Sequence, residues 1–238
     1  MICIIPARKN SKGLKNKNIK NLNGIPLIKH TVNIAKKSKK IKKIYISTDD
    51  ERIIKMFEKD NLVEIPFIRP KHLSGDHTPS VEVYSHMVTF LEKKIRFDEF
   101  CVLLPTCPIR DVKQIDKAIS IFKNKKVKFL ISVVESKPIE FQFKISNNFI
   151  KKINNIKSSV LNRQKLDKIY TPNGSIYIFN KKEFKKKKSF MTTQTYCFEM
   201  DRYNSQDIDN KIDFEIVKKL ISWIIFSQPY IQDQKNFL

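Results

Sequence analysis

Glycine is almost absent. The 238 residues contain four, Gly13, Gly24, Gly75 and Gly174. In so poor a background each one marks a backbone need, such as positive φ or close approach. Gly24 reads as a plain turn before Pro26, whereas the other three each sit inside a polar cluster expected to line one pocket. Cysteine is also sparse. Cys3, Cys101, Cys107 and Cys197 show no C-x-x-C spacing, which argues against a disulfide framework or a thiolate metal site and for a reduced, cytoplasmic setting. Cys3 and Cys101 fall in predicted strands, where a free thiol behaves as a small hydrophobe. Long apolar runs are missing. None approaches the roughly 20 residues of a membrane span, and the longest candidate lies near Ile221–Phe226. Arg8 and Lys9 interrupt the opening apolar run, against a signal peptide. No P-loop, G-x-G-x-x-G, G-x-S-x-G or H-E-x-x-H occurs, and His30, His72, His77 and His86 form no helical metal pair.

Acidic residues are the minority charge, 24 against 47 basic, for a net charge of +23. That excess raises a nucleic-acid reading. Arginine, the usual bidentate reader of bases and phosphates, numbers only seven (Arg8, Arg52, Arg69, Arg96, Arg110, Arg163 and Arg202). Lysine supplies the rest, in scattered patches such as Lys36–Lys43, Lys123–Lys128 and Lys181–Lys188. The expectation is solvated surface with nonspecific polyanion binding at low salt, and no specific nucleic-acid partner.

What is present alternates. Strand-like runs at Ile2–Ile5, Ile44–Ser47, Ile65–Ile68, Phe100–Leu104, Phe129–Val134 and Ser175–Phe179 are interleaved with helical patterns at Pro26–Lys37, Ser80–Leu91, Val112–Phe122 and Asp213–Ser227. A further helix carrying Ile53, Ile54 and Phe57 follows Asp49-Asp50, either of which suits its cap. This rhythm predicts an α/β fold, a mostly parallel sheet with helices on both faces. The rhythm breaks over 135–168, where Phe141–Ile145 and Phe149–Ile153 flank Ser146-Asn147-Asn148 and predict a hairpin. The expected organisation is a main domain of 1–134 and 169–227, an inserted β subdomain of 135–168, and a tail of 228–238 without assignment.

Five polar clusters carry the candidate chemistry. The opening strand, which Pro6 is expected to end, leads into a loop bearing Arg8, Ser11, Lys12, Gly13, Lys17 and Asn18. At the C-terminal end of a first strand such a loop suits a polyphosphate; in a lysine-rich chain it also suits solvated surface. Arg69 to Ser80 leads into a helix, with Ser80 as cap, and reads either as a ligand contact or as an ordinary capped loop. In Leu104 to Asp111, Thr106 and Arg110 are candidates to face the cleft; the alternative is a rigid turn with Asp111 capping the next helix. Arg163-Gln164 with Tyr170 to Tyr177 suits an acidic, hydroxylated ligand, although Tyr177 also fits a plain strand aromatic. Asp207 and Asp209 alternate around Ile208, so an extended backbone turns both carboxylates to one face. That arrangement suits Mg²⁺, or else a capping cluster for the helix at Asp213.

As an ordered set these residues resemble the bacterial cytidylyltransferases that activate sialic acids, the CMP-N-acylneuraminate synthetases. The carrying residues are Pro6-Ala7-Arg8, Ser11-Lys12-Gly13, Lys17-Asn18, Ser47-Thr48-Asp49, Arg69-Pro70, Leu73, Asp76, Thr78, Pro105-Thr106, Pro108, Arg110, Arg163-Gln164, Asn173 to Tyr177, Ser205 and Asp207-Ile208-Asp209. The resemblance implies a Rossmann-like nucleotidyltransferase sandwich and a cytoplasmic homodimer joined through the inserted flap. It implies CMP transfer from CTP to the anomeric hydroxyl of an acidic nine-carbon sugar, with release of pyrophosphate. Arg8, Ser11, Lys12 and Lys17 then hold the triphosphate beside Gly13. Asn18, Arg69 and Ser80 read the cytosine and its surroundings, and Arg163, Asn173 and Tyr177 face the sugar. Asp207 and Asp209 hold Mg²⁺, with Asp209 assisting deprotonation; Arg8 and Lys17 join it as the catalytic set. The chain departs from the pattern at Lys9-Asn10, where many relatives have glycines. It departs again at Leu104, where a glutamine often contacts the sugar. The departure at Leu104 points to a related acceptor, such as legionaminic, pseudaminic or another acidic sugar. The competing readings are a 3-deoxy-octulosonate cytidylyltransferase, whose first loop usually departs from Ser11-Lys12-Gly13, and a lysine-rich nucleic-acid binder.

Overall fold

The computed structural model describes residues 1–153 and 166–235, with side chains as far as 223. In chain order the main elements are β1 (Ile2–Ala7), β2 (Asn21–Leu22), β3 (Ile25–Pro26), α1 (Leu27–Lys37), β4 (Lys43–Thr48), α2 (Glu51–Phe57), β5 (Val63–Glu64) and α3 (Ser80–Leu91). There follow β6 (Glu99–Val102), α4 (Val112–Asn124), β7 (Phe129–Glu135), β8 (Phe143–Ser146), β9 (Phe149–Lys152), β10 (Tyr170–Asn180), α5 (Lys181–Lys187), β11 (Thr195–Glu199) and α6 (Lys211–Lys235). Seven strands form one sheet in the order β11-β7-β10-β6-β1-β4-β5. Every pairing is parallel except those of β10, which runs antiparallel to β6 and β7.

Alternation along the strands sends side chains to two faces. Cys3, Ile5, Ile44, Ile46, Cys101, Leu103 and Ile178 bury one face under α1, α2 and α4, through Ile28, Val32, Ile53, Phe57, Ile119 and Phe122. Ile2, Ile4, Val102, Phe129 and Phe179 bury the other against Tyr84, Met87, Val88 and Leu91 of α3 and Phe184 of α5. On this second face the rings of Phe100, Phe179 and Phe184 lie 5.1–5.2 Å apart, within the range of favourable aromatic pairs. A third cluster lies off the sheet. Leu14, Leu22, Leu27, Ile109, Ile208, Phe214 and Val217 pack α6 and the segment before it against the opening loop.

Several expected boundaries move. The strand predicted to stop at Pro6 runs on to Ala7, with Pro6 opposite Ser47. β6 pairs with β1 only as far as Ile4, so the missing proline N–H falls where the ladder is open. The strand expected at Ile65–Ile68 is instead Val63–Glu64, and Ile68 makes only an isolated bridge to Thr48; Pro66 interrupts the run. Ser80 does not cap α3. Pro79 holds that position without a side-chain bond, and Ser80 is the first helical residue. The last helix starts at Lys211 and continues to Lys235, through the segment left without assignment. α5 and β11 had no counterpart in the sequence pattern. α5 lies inside the Lys181–Lys188 patch, with Phe184 as its one buried residue.

A hairpin forms within the expected segment, but its first strand runs Phe143–Ser146, so Phe141 lies in a 3-10 turn and Ser146 in the strand rather than in the turn. β8 and β9 make a separate two-stranded sheet, and Asn147 and Asn148 turn with φ of 51° and 65°, the left-handed pair that a two-residue hairpin turn requires.

Asp111 accepts from the Lys113 amide while Gln114 returns a bond to the Asp111 amide, a reciprocal capping box on α4. Asp111→Ala should therefore cost about 1 kcal/mol and lower Tm by about 2–4 °C. Calorimetry showing an unchanged Tm would contradict this.

Candidate active site

At the C-terminal ends of β1, β4 and β6 the chain surrounds a cleft of about 390 Å³. Ligands in open α/β sheets bind at this edge. Its cationic wall comes from the loop after β1, through Arg8, Ser11, Lys12, Gly13, Lys17 and Asn18.

This loop is held at many points. The buried Asn18 donates from Nδ2 to the Arg8 carbonyl at 2.9 Å. Asp49 Oδ1 accepts from the Lys9 amide at 2.8 Å. Arg52 Nη2 donates to Asn16 Oδ1 at 2.9 Å, where Asn16 has φ of 56°. Lys17 Nζ donates to the Ile208 carbonyl at 2.5 Å and lies 3.5 Å from Asp209 Oδ1. A Cβ on Gly13 would stand 2.1 Å from the Asp209 carbonyl oxygen, so only glycine allows the loop to lie against that segment. In this state Asp76 takes up the cations, with Oδ1 2.6 Å from Arg8 Nη1 and Oδ2 3.8 Å from Lys12 Nζ.

Arg69 and Ser80 also line the cleft. Arg69 is buried and donates from Nε to Ser47 Oγ at 2.9 Å and from Nη2 to the Ser47 carbonyl. Burial pushes its guanidinium down to about 10. Ser47 thereby orients Arg69 while Asp49 holds the first loop, which gives Ser47-Thr48-Asp49 a structural role. The Ser80 side chain partners Tyr84, whose phenol burial pushes up to about 12.

The opposite wall is apolar. Leu104, Tyr177, Val83 and Phe190 line it, with the Tyr177 and Phe190 rings 5.4 Å apart. Burial raises the Tyr177 phenol well above its ordinary range. Phe190 was missed in the sequence because it follows a lysine run and belongs to no motif.

Three candidates sit elsewhere. Asn173 is buried below the cleft, in the β10 irregularity between Pro172 and Tyr177. Its Oδ1 accepts from Ser132 Oγ at 2.5 Å and from the Ser175 amide at 3.1 Å, and its Nδ2 donates to Ser205 Oγ at 2.8 Å. It ties β10 to β7 and to the acidic segment, rather than facing a sugar. Gly174 follows with φ of +73° and packs on Leu104 and Cys107 instead of lining the cleft. Arg110 is fully buried, donating from Nε to the Cys107 carbonyl at 2.8 Å and from Nη2 to the Leu104 carbonyl. It braces the turn from beneath, with Thr106 facing the cleft above it. Arg163 and Gln164 lie outside the described residues.

Ile208 is fully buried, and Asp207 and Asp209 emerge on either side of it. Asp209 lines the cleft with a side chain 78% exposed. Asp207 stands beside it, with Oδ1 accepting from Cys107 Sγ at 3.6 Å. The capping alternative also holds in part, since the Asp209 and Asn210 amides donate to Asp213 Oδ2. Among the described residues no three His, Cys, Asp or Glu side chains gather into a metal cage. Asp209 alone of the two lines the cleft, while Asp207 turns one carboxylate oxygen to the buried Cys107 thiol. One carboxylate in the cleft with a second two residues away is a donor set that suits Mg²⁺, which needs only one or two protein carboxylates.

A family model described as Cytidylyltransferase matches residues 2–230. The chain is 32% identical over 221 residues to an N-acylneuraminate cytidylyltransferase of Escherichia coli O18:K1:H7, covering 91% of this chain but 51% of that protein. It is 33% identical over 226 residues to a CMP-N,N'-diacetyllegionaminic acid synthase of Campylobacter jejuni, covering 93% of this chain and 95% of that protein. The chain thus spans about half the length of some curated relatives it matches and nearly all of others. A solved CMP:2-keto-3-deoxy-manno-octonic acid synthetase complexed with CTP superposes with a TM-score of 0.68 at 13% identity, over 93% of this chain and 98% of that one. That likeness shows the nucleotidyltransferase fold. The chain belongs to the cytidylyltransferase family.

Gly13→Ala should keep the secondary structure while displacing the loop from Asp209. Amide exchange in residues 8–18 should rise about tenfold or more, as read by hydrogen-exchange mass spectrometry. Unchanged exchange would show that the loop does not depend on this close approach.

Proposed function

We propose that this chain transfers CMP from CTP to the anomeric hydroxyl of a nonulosonic acid, releasing pyrophosphate, with Mg²⁺ as its cofactor. The observation that carries the reading is the meeting of Arg8, Lys12 and Lys17 with Asp209 in one cleft. A polyphosphate grip and an acidic group capable of proton removal then act at one centre.

Arg8, Lys12, Lys17 and the Ser11 hydroxyl hold the outer phosphates, and Arg69, Asn18 and Ser80 form the cytosine end. When bound, Mg²⁺ neutralises charge on the phosphate oxygens, with Asp207 and Asp209 holding it. The Asp209 carboxylate accepts the proton of the attacking hydroxyl, and Lys17 and Arg8 balance the charge on the departing pyrophosphate. Most of the rate gain comes from holding the reactants in place.

The acceptor faces Leu104, Tyr177 and Phe190. Leu104 offers no hydrogen bond to a sugar hydroxyl, so an acceptor that needs none there is tolerated. The reading is an acceptor of legionaminic or pseudaminic type, acids named in two Campylobacter jejuni relatives. The 3-deoxy-octulosonate reading has only fold likeness at 13% identity behind it.

The assembly is read as a homodimer. Phe143, Ile145, Phe149 and Ile150 are exposed on the flap, Phe149 by 75%. An isolated two-stranded hairpin is marginal in water. Its register puts Phe143, Ile145 and Ile150 on one face and Phe149 on the other, and the three-residue apolar face is the surface read as the contact. A second flap of the same chemistry covers it. No helix among the described residues is long and apolar enough to cross a membrane; the working compartment is read as the cytoplasm.

Incubation with CTP, Mg²⁺ and a panel of nonulosonic acids plus 3-deoxy-octulosonate should yield one CMP-sugar by mass spectrometry. Silence from folded protein across the panel would overturn the reading. Asp209→Asn should keep CTP affinity within about threefold and lower turnover about 100-fold or more; full turnover would reject the role of Asp209. Leu104→Gln should shift preference toward sialic acid by about tenfold in kcat/KM, as measured by competing the two sugars in one reaction.

A further inference from the structure

We propose that Asp76 is a resident counter-ion of the phosphate site, which a triphosphate must displace and which returns as pyrophosphate leaves. The inference rests on the reading of Arg8 and Lys12 as phosphate ligands. Asp76 bridges the two cations as a bound anion would. Its Oδ1 lies 2.6 Å from Arg8 Nη1 and its Oδ2 lies 3.8 Å from Lys12 Nζ. It lines the cleft itself, in the loop between Leu73 and α3.

That loop does not depend on the Asp76 side chain for its shape. Thr78 closes it, donating from Oγ1 to the His72 carbonyl at 3.2 Å and from its amide to the Gly75 carbonyl at 3.4 Å. The side chain is therefore able to swing while the loop stays folded. Arg8 holds the Asp76 carboxyl below its ordinary range, so it is charged at neutral pH. With 32% of the side chain exposed, the pair is partly screened and cheap to open. A polyphosphate brings more charge and more acceptor oxygens to the same arginine. Asp76 therefore yields to CTP, which the cytosine end of the cleft also holds, yet competes with pyrophosphate, which lacks those further contacts, for Arg8 and Lys12. Its return favours product release, a step that limits turnover in many enzymes.

The test uses inorganic pyrophosphate without metal, titrated calorimetrically into the wild-type chain and Asp76→Asn. The expected result is about fivefold tighter binding by the variant, with the gain shrinking as salt rises. In an Arg8→Gln background most of that gain should vanish, which a merely structural effect of position 76 would not produce. In turnover, Asp76→Asn should lower KM for CTP and lower kcat together. If both proteins bind pyrophosphate equally, or the variant binds more weakly, the counter-ion role is overturned while the phosphate site stands. If neither binds it, the phosphate-site reading falls first and the counter-ion with it.

Discussion

The candidate site depends on one contact that leaves no room for a side chain, the Gly13 backbone against the Asp209 carbonyl. Around it Lys17 reaches the Ile208 carbonyl across 191 positions of sequence, and the fully buried Ile208 packs with Leu14, Leu27 and Phe214. Burial of those apolar groups supplies the driving force; the glycine sets how near the backbones come. The acidic segment is anchored by Ile208, which leaves Asp209 facing the cleft and Asp207 against the Cys107 thiol. A substitution that spared every charged residue here would still separate the two halves of the site.

Two kinds of cation divide the work. Arg110 and Arg69 are buried and donate to backbone carbonyls at the strand ends, which fixes the turns that shape the floor. Arg110 Nη1 is left without a hydrogen-bond partner, and loss of solvent lowers its pKa. It is a costly group to bury, and the two carbonyls to which it donates belong to the turn carrying Leu104 and Thr106. Arg8, Lys12 and Lys17 keep heads that face the cleft, and each already has a carboxylate nearby. Cations in such arrangements attract phosphate without being stranded in its absence.

The sheet and its helices were legible because their signals are periodic and local. α3 begins and ends where its apolar spacing places it, at Ser80 and Leu91. β5 and α5 were not, for opposite reasons. Pro66 breaks a run that reads as a strand, and α5 has so many lysines that its single buried residue, Phe184, leaves no period to detect. The cleft cations were legible because they cluster in one loop. Asn173 and Arg110 carry the right side chains for a ligand, but the β10 irregularity and the turn after β6 turn them into the protein. Which way a polar residue faces at such a break is a tertiary fact that spacing does not encode. Phe190 shows the converse, an aromatic whose place beside Tyr177 arises only when α5 folds back on the sheet.

The excess of lysine has a consequence even though it builds little of the cleft. A net charge of +23 raises a positive potential around the whole molecule, and both a nucleoside triphosphate and an acidic sugar are anions. If these are the substrates, as proposed, long-range attraction speeds their encounter and fades with salt. The same field would hold pyrophosphate back. An acidic side chain beside the phosphate loop offsets that field locally, where it does most harm, and leaves it intact at a distance, where it assists capture. Asp76 stands at such a position, against Arg8 and Lys12 of the loop after β1.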